Sequence, residues 1–199
     1  QLAAPTSDAF TAIAAAGDAT CAVNNGMVCW GTTVANIPAP TYLIGSGNLD
    51  AGTAHTCQSQ TNGGLGCWGD NSFGQRAVAS GYQRGLDADG DLACAIGGNG
   101  TLSCWGDNTH AGATPPGNPV RQVEIGQFNG CAVRGTGEAA CWGWNVNGQS
   151  TPPAGLFRSV STGLNHSCGL REDSTLACWG YNADGQVGAL SEPPLDLPT

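Results

Sequence analysis

The chain has 199 residues, a formal net charge of −9 and only six lysine and arginine residues in total. Nucleic acids and anionic membrane surfaces bind clustered cations, so we predict neither as a partner. No apolar run is long enough to span a bilayer, so no transmembrane helix is predicted. The sequence starts at Gln1 without an initiator methionine or a signal peptide. We expect that a targeting segment is removed, although an artificial start would look the same.

The tripeptide Cys-Trp-Gly recurs five times, at intervals of 37 or 38 residues. A second cysteine precedes each copy and keeps nearly the same period. A period of this length with short strands is typical of propeller blades. Helical repeats of similar length are disfavoured, because 32 glycines and 11 prolines interrupt every repeat. We predict an all-β fold, a single five-bladed β-propeller domain over residues 1–199.

The predicted elements follow the repeats in chain order, at approximately 8–44, 45–81, 82–118, 119–155 and 156–192. Residues 10–13 predict the first strand of the first repeat, and residues 120–125 predict its equivalent in the fourth. In the fifth repeat, three strands are predicted at 157–161, 166–170 and 175–179, with a fourth strand on the outside. Polar or glycine-containing turns separate these strands, as blade hairpins require.

The terminal segments 1–7 and 192–199 lie outside the minimal repeat. Residues 192–194 align with residues 151–153, which precede the next repeat's first strand. The end of the chain therefore leads back to its beginning, and we expect these segments to close the ring. A filament-forming tail is the alternative.

The ten cysteines predict one disulfide in each blade. The two cysteines of a repeat lie on opposite arms of one hairpin, where cross-strand neighbours come within disulfide range. The first pair is closer in sequence by two residues, a change that keeps both side chains on the same face. Such crosslinking indicates a secreted, extracellular or periplasmic protein. The predicted pairs are Cys21–Cys29, Cys57–Cys67, Cys94–Cys104, Cys131–Cys141 and Cys168–Cys178.

Each repeat contains one tryptophan that we interpret as structural, because stacked blades need large apolar side chains between them. Sugar-stacking platforms are the alternative for these five residues, Trp30, Trp68, Trp105, Trp142 and Trp179. Trp144 and Tyr181 differ, since they occupy a polar turn position that holds aspartate in other repeats. Together with Phe73 and His110, which lie in the same turns, they are the predicted binding-surface residues.

The pattern Gly-x-x-His-x-Cys, followed by Cys-Trp-Gly-x-Asn-x-x-Gly-Gln, resembles the regulator of chromosome condensation repeat family. The resemblance is strongest to its bacterial branch, which contains beta-lactamase inhibitory protein II. The third repeat keeps Asn108 and Gly112 but has Ala113 in place of glutamine, and the first repeat lacks this turn. The other matching residues are Asn71, Gly74 and Gln75; Asn145, Gly148 and Gln149; and Gly163, His166, Trp179, Gly180, Asn182, Gly185 and Gln186.

The resemblance implies a non-catalytic β-propeller that binds partners through loops at one end. Members of the family usually have seven blades, whereas this chain has five repeats. The inhibitor's contact residues do not match the loops here, and a β-lactamase partner has no support in the sequence. Family likeness argues for the fold much more than for the function.

The sequence shows no constellation that predicts catalysis, a cofactor or a bound metal. His55 and His166 share one repeat position, which explains them without chemistry. The segment 87–91 resembles the start of a calcium loop, but the glutamate that should complete the loop is missing. Asn99 and Asn165 begin glycosylation sequons, which matter only in a glycosylating organism.

Three functions fit these observations. The first is a secreted, non-enzymatic module that presents propeller loops to a protein partner. The second is a lectin for extracellular glycans, although the turn residues differ between repeats where equal sugar sites should repeat them. The third is a self-assembling structural subunit of an extracellular layer or fibre, which low charge and heavy crosslinking would suit.

Overall fold

The computed structural model of the chain describes residues 9–23, 26–31, 47–60, 63–78, 83–117 and 119–188. Every regular element in these ranges is a β-strand. The segments 1–7 and 192–199, predicted to close the ring, lie outside the described residues. The strands are β1 Ala12–Ala16, β2 Ala19–Val23, β3 Met27–Gly31, β4 Leu49–Ala51, β5 His55–Ser59, β6 Leu65–Gly69, β7 Gln83–Asp89, β8 Leu92–Gly97, β9 Leu102–Gly106, β10 Val120–Ile125, β11 Asn129–Arg134, β12 Ala139–Gly143, β13 Phe157–Thr162, β14 His166–Arg171 and β15 Leu176–Gly180.

These strands form five antiparallel sheets of three, one in each repeat, with the second strand always in the middle. The prediction of an all-β fold with five blades is confirmed. The expected fourth, outer strand is not formed in the fourth repeat, where residues 144–155 are fully described and form turns and irregular chain. Hydrogen bonds from side chains hold the loop after the third strand in a compact turn, so it does not extend alongside the sheet.

The predicted disulfides are confirmed in all five sheets. The two cysteines of each pair lie directly opposite one another in the register of the second and third strands, as with Cys131 and Cys141. Their Cα atoms are 4.0 to 4.1 Å apart in every pair, the close spacing that cross-strand neighbours reach. The described residues contain no free cysteine. Each blade is therefore crosslinked through its own hairpin and not to its neighbour.

Neighbouring sheets pack in chain order, mainly through their first strands β1, β4, β7, β10 and β13. The first strands therefore line the inside of the arrangement, and the third strands lie towards the outside. In the described ranges, the fifth sheet has no comparable packing against the first. These five sheets consequently form an open arc, not a closed ring.

The hydrophobic core consists of separate clusters between neighbouring sheets. Between the third and fourth sheets, Leu92, Ile96, Val123 and Trp142 pack together. The other three interfaces have the same construction, with one tryptophan from the later sheet packed on the earlier sheet: Trp68, Trp105 and Trp179. Each blade thus covers the apolar face that its predecessor could not bury alone.

Candidate binding surface at one end of the blades

Two kinds of segment lie at the same end of every described sheet, because the third strand ends where the second strand begins. They are the turns between first and second strands and the loops that follow Cys-Trp-Gly. We call this the upper end. It comprises turns 17–18, 52–54, 90–91, 126–128 and 163–165, and loops 70–78, 107–114, 144–151 and 181–188. The opposite, lower end carries the turns between second and third strands and the segments that lead into each first strand.

The upper loops are rigid because their own side chains accept hydrogen bonds from the N–H groups of the loop backbone. In the fourth blade, the Ser150 N–H donates to Asn145 Oδ1 at 2.8 Å. The Asn147 N–H donates to Gln149 Oε1 at 2.9 Å, and Gln149 is fully buried. The loops of the second and fifth blades contain the same pair of bonds. The Asn-x-x-Gly-Gln pattern is therefore a loop-closing device.

The loop of the third blade shows that the sequence pattern was matched to the wrong residues there. The pattern placed Gly112 at the glycine position of this loop and Ala113 at the glutamine position, which is wrong by one residue. Ala111 occupies the glycine position, with φ of 60°, and its N–H donates to Asn108 O as the equivalent glycines do in other loops. Gly112 then stands where the other blades have glutamine. The turn is kept despite the unfavourable φ of the alanine, because the Ala113 N–H still donates to Asn108 Oδ1, although the bond to a glutamine side chain is lost.

Three of the four described upper loops, those of the second, third and fourth blades, are also held by a tryptophan of the next blade. Trp105 Nε1 donates to the carbonyl of Gln75 at 2.8 Å, and Trp142 Nε1 donates to Gly112 O at 2.6 Å. Trp179 makes the same bond to Gln149 O at 2.9 Å. These three indoles are buried between blades. In this position they pack in the core and fix a neighbouring loop, and they are not open to a sugar ring.

The four predicted binding residues all lie at the upper end, and two of them are in contact. The rings of His110 and Trp144 stack with centroids 4.4 Å apart and planes 16° apart, although they come from different blades. Phe73 is 52% exposed and Tyr181 is 37% exposed. They flank the stacked pair on the second and fifth blades and do not join it.

A fifth aromatic residue, Phe128, completes a cluster that sequence reasoning missed. Its ring lies 5.2 Å from His110, edge-on, and 5.3 Å from Trp144. We call His110, Phe128 and Trp144 the aromatic cluster. Phe128 sits in the turn before β11, where the third and fifth blades have Asp91 and Asn165. An aromatic at a polar turn position was the signal used for Trp144, and it would also have found Phe128.

Apolar exposure at the upper end extends beyond the aromatics. Val146, in the fourth loop, is 72% exposed, and Leu164, in the fifth turn, is 51% exposed. Both belong to the blades on the Trp144 side of the aromatic cluster. Exposed apolar residues grouped on rigid loops are characteristic of an interaction surface.

Carboxyl groups recur at one inner-strand position in three successive blades. Asp50, Asp87 and Glu124 each lie opposite the first cysteine of their hairpin. Asp50 Oδ2 accepts from the Ala88 N–H at 3.0 Å, and the Ile125 N–H donates to Asp87. Asp50 and Asp87 thus bond the backbone of the following blade and help to join neighbouring sheets, whereas Glu124 accepts from Gln122 of its own strand.

Burial in this row changes the titration of Asp87 and Glu124. Burial raises the pKa of Asp87 to about 9, and a hydrogen bond and negative charge from Asp50 and the charge of Glu124 add to this effect. Burial also raises the pKa of Glu124 and of Asp89. Asp87 is therefore protonated in the folded protein at neutral pH.

The three aspartates of the segment 87–91, which resembles the start of a calcium loop, each accept a hydrogen bond from a different donor. Asp87 binds the Ile125 N–H, Asp89 accepts from the Gly90 N–H, and Asp91 accepts from Gln75 Nε2 at 3.1 Å. No group of His, Cys, Asp or Glu side chains within the described ranges has a metal-binding arrangement.

The shared position of His55 and His166 is the first residue of each second strand, opposite a Cys-Trp-Gly glycine. His55 is fully buried, and its two ring nitrogens have no hydrogen-bond partner in the described part of the chain. Burial lowers the pKa of His55, against the opposing charges of Asp91, Asp50 and Asp70. It is a neutral packing residue next to Gly52, whose position has no room for a Cβ.

Two repeats of the chain match the model of the regulator of chromosome condensation (RCC1) repeat, at residues 120–149 and 157–186. These are the fourth and fifth blades. These two repeats are therefore similar to RCC1 repeats. No curated protein sequence matches it. Within the described ranges, no helix has the length and hydropathy needed to cross a membrane.

Several solved structures share this RCC1-like fold. The ectodomain of the Physcomitrella patens receptor kinase CR4 is 26% identical, with a TM-score of 0.70, over 89% of this chain and 54% of that one. The CRINKLY WD40 ectodomain of the Arabidopsis thaliana receptor kinase ACR4 is 23% identical, with a TM-score of 0.68, over 84% and 62%. Prp20p from Saccharomyces cerevisiae, studied for its binding to Gsp1p and histones, is 18% identical, with a TM-score of 0.69, over 94% and 60%. The chain therefore spans between about half and two thirds of these structures.

Proposed function

We propose that this protein is a secreted, non-enzymatic binding module that presents the upper end of its blades to a protein partner. The observation that carries the proposal is the aromatic cluster, in which side chains from two blades stack on loops that are closed by their own hydrogen bonds. Aromatic side chains on rigid supports lose little conformational freedom on binding, so they make efficient interface contacts.

An extracellular location has two supports. Five hairpin disulfides are stable in an oxidising compartment and rare in a reducing one. The similar structures also include ectodomains of two plant receptor kinases.

The proposal is tested by site-specific photocrosslinking with the intact, oxidised protein. A photoreactive phenylalanine analogue replaces Phe73 or Tyr181 at the upper end, and Leu156 at the lower end as the control. Leu156 is a suitable control because it is 47% exposed. The proteins are applied to the surface of the producing cells, and crosslinked products are identified by mass spectrometry.

We expect one protein to crosslink from both upper positions and not from position 156. Products that are glycans would support the lectin, and products that are copies of this chain would support the structural subunit. Equal crosslinking from the two ends would overturn the assignment of the upper end as the binding surface.

A further inference from the structure

Charge is divided between the two ends of the described blades. The upper turns and loops carry Asp18, Asp70, Asp91, Asp107 and Asp184, with Arg76 as their one arginine. At the lower end, Arg121, Arg134, Arg158 and Arg171 are nearly balanced by Glu138, Glu172 and Asp173. A sequence with a net charge of −9 thus concentrates its negative charge at the end that carries the aromatic cluster.

The lower arginines are committed to the fold. Arg134 donates to Gly117 O at 2.7 Å, and Arg171 repeats this bond one blade later, to Ala154 O at 2.9 Å. Arg121 lies 3.9 Å from Glu172 in an ion pair. Their positive charge therefore supports the segments that lead into the first strands.

The upper carboxylates are used differently. Asp70 and Asp107 accept hydrogen bonds from neutral groups of their own loops, including Gln75 and Thr109. None of the upper carboxylates forms an ion pair with another described residue. Their negative charge is consequently available to a partner.

The aromatic cluster lies within this negative region. His110 follows Asp107 by three residues in one short loop, and Phe128 lies in the turn that corresponds to Asp91 of the preceding blade. Phe73 occupies the loop position of His110, and Asp107 occupies that of Trp144. The upper loops of three successive blades thus carry Asp70 and Phe73, then Asp107 and His110, then Trp144.

We infer that the upper end recognises an arginine-rich segment of its protein partner. The planar guanidinium group stacks on indole and imidazole faces and pairs with carboxylates at its edges, so it satisfies both halves of this surface. Neutral glycans carry no positive charge to pair with the carboxylates, and nucleic acids would be repelled by them. This inference rests on the proposed function and adds the chemistry of the partner.

The experiment uses the intact oxidised protein, labelled with ¹⁵N at tryptophan, and a synthetic peptide of alternating arginine and glycine. The chain has six tryptophans, so the indole N–H region is simple to follow during titration. The peak of Trp144 is assigned from the Trp144→Phe variant. The same peptide with citrulline in place of arginine keeps the planar shape without the charge.

We expect the arginine peptide to shift the Trp144 indole peak and leave the buried tryptophans unchanged. Trp144→Ala should weaken binding about tenfold, as loss of a partly desolvated cation–π contact predicts. The citrulline peptide should bind at least about tenfold more weakly. Unchanged peaks of Trp142 and Trp179 in the free variant show that the neighbouring blades remain folded.

A pair of matched variants separates site binding from general attraction to an acidic protein. Asp107 Oδ1 accepts from the N–H and Oγ1 of Thr109, and Asp173 Oδ1 makes the same two bonds with Thr175 at the lower end. Asp107→Asn should lower the affinity for the arginine peptide about threefold to tenfold. Asp173→Asn should change this affinity by less than about twofold.

Equal effects of these two variants, or peptide-induced shifts at both ends, would show that binding is diffuse and overturn the inference. If the peptide leaves the Trp144 peak unmoved while photocrosslinking still identifies a protein at the upper end, only the arginine preference is wrong. If the crosslinks also fail to favour the upper end, the proposed function fails with it.

Discussion

Asp87 should make the folded protein less stable at neutral pH than it would be with a neutral side chain there. Its carboxyl group is buried on β7 between Asp50 and Glu124, and its pKa is raised to about 9 from 3.8. The folded state therefore holds a proton that the unfolded chain releases. The favourable contribution is fully present below pH 4 and is lost as the pH rises towards 9.

The variant Asp87→Asn removes this effect while keeping the shape. The amide oxygen still accepts from the Ile125 N–H, and the amide nitrogen can donate to Asp50. At pH 7 the wild-type cost is up to about 4 kcal/mol, from roughly three pKa units at about 1.4 kcal/mol each. We expect Asp87→Asn to raise the free energy of unfolding by about 2 to 4 kcal/mol at pH 7 and by little at pH 4.

This difference is measured by urea unfolding of the oxidised protein, followed by tryptophan fluorescence. The measurement is made at about pH 4, 7 and 8.5, roughly the range over which the contribution of the Asp87 carboxyl to the free energy of unfolding changes. Asp173→Asn is the control, because hydrogen bonds from Thr175 lower the pKa of this exposed carboxyl. Its effect should have the opposite sign and be small. A variant Asp87→Asn that is no more stable than wild type at pH 7, or whose advantage is the same at pH 4, would refute the reasoning.

Three further changes test the construction of the blades. Replacing both Cys131 and Cys141 by serine should lower the free energy of unfolding by about 2 to 3 kcal/mol in urea, since a short loop loses its crosslink; no change would show that the hairpin is fixed without it. Trp142→Phe should cost about 1 to 3 kcal/mol in the same assay, because a buried loop carbonyl loses its donor. Gly69→Ala should lower the melting temperature more than Gly74→Ala, since both have positive φ but only the Cβ at position 69 would lie 2.4 Å from a backbone oxygen; equal losses would contradict this.

The repeat made much of the fold predictable. Two cysteines and one tryptophan keep a single period, so they place the hairpins, the disulfides and the interfaces between blades together. Strand bounds were also close: residues 120–125 were predicted, and β10 is Val120–Ile125. This accuracy comes from repetition, because an ambiguity in one unit is decided by the other four.

The differences between repeats were harder to predict. The stacking of His110 on Trp144 joins two blades, and pairing across blades leaves no period in the sequence. Phe128 was overlooked because it lies before its strand and not in the loops after Cys-Trp-Gly. From the sequence, Asp87 was considered only within the segment 87–91, whereas the carboxyl groups that affect its pKa, Asp50 and Glu124, lie a whole repeat away in the chain.

The described hydrogen bonds from tryptophan to an upper loop all run from one blade to the blade before it in the chain. Trp179 of the fifth blade holds the loop of the fourth, and Trp142 holds that of the third, so support always passes from a later blade to an earlier one. A chain shortened after the fourth blade would therefore keep the Trp144 loop but lose the residue that fixes it. A chain that lacks the first blade would keep every such bond described here. New binding specificity can thus arise by changing one loop, provided that the blade synthesised after it stays intact.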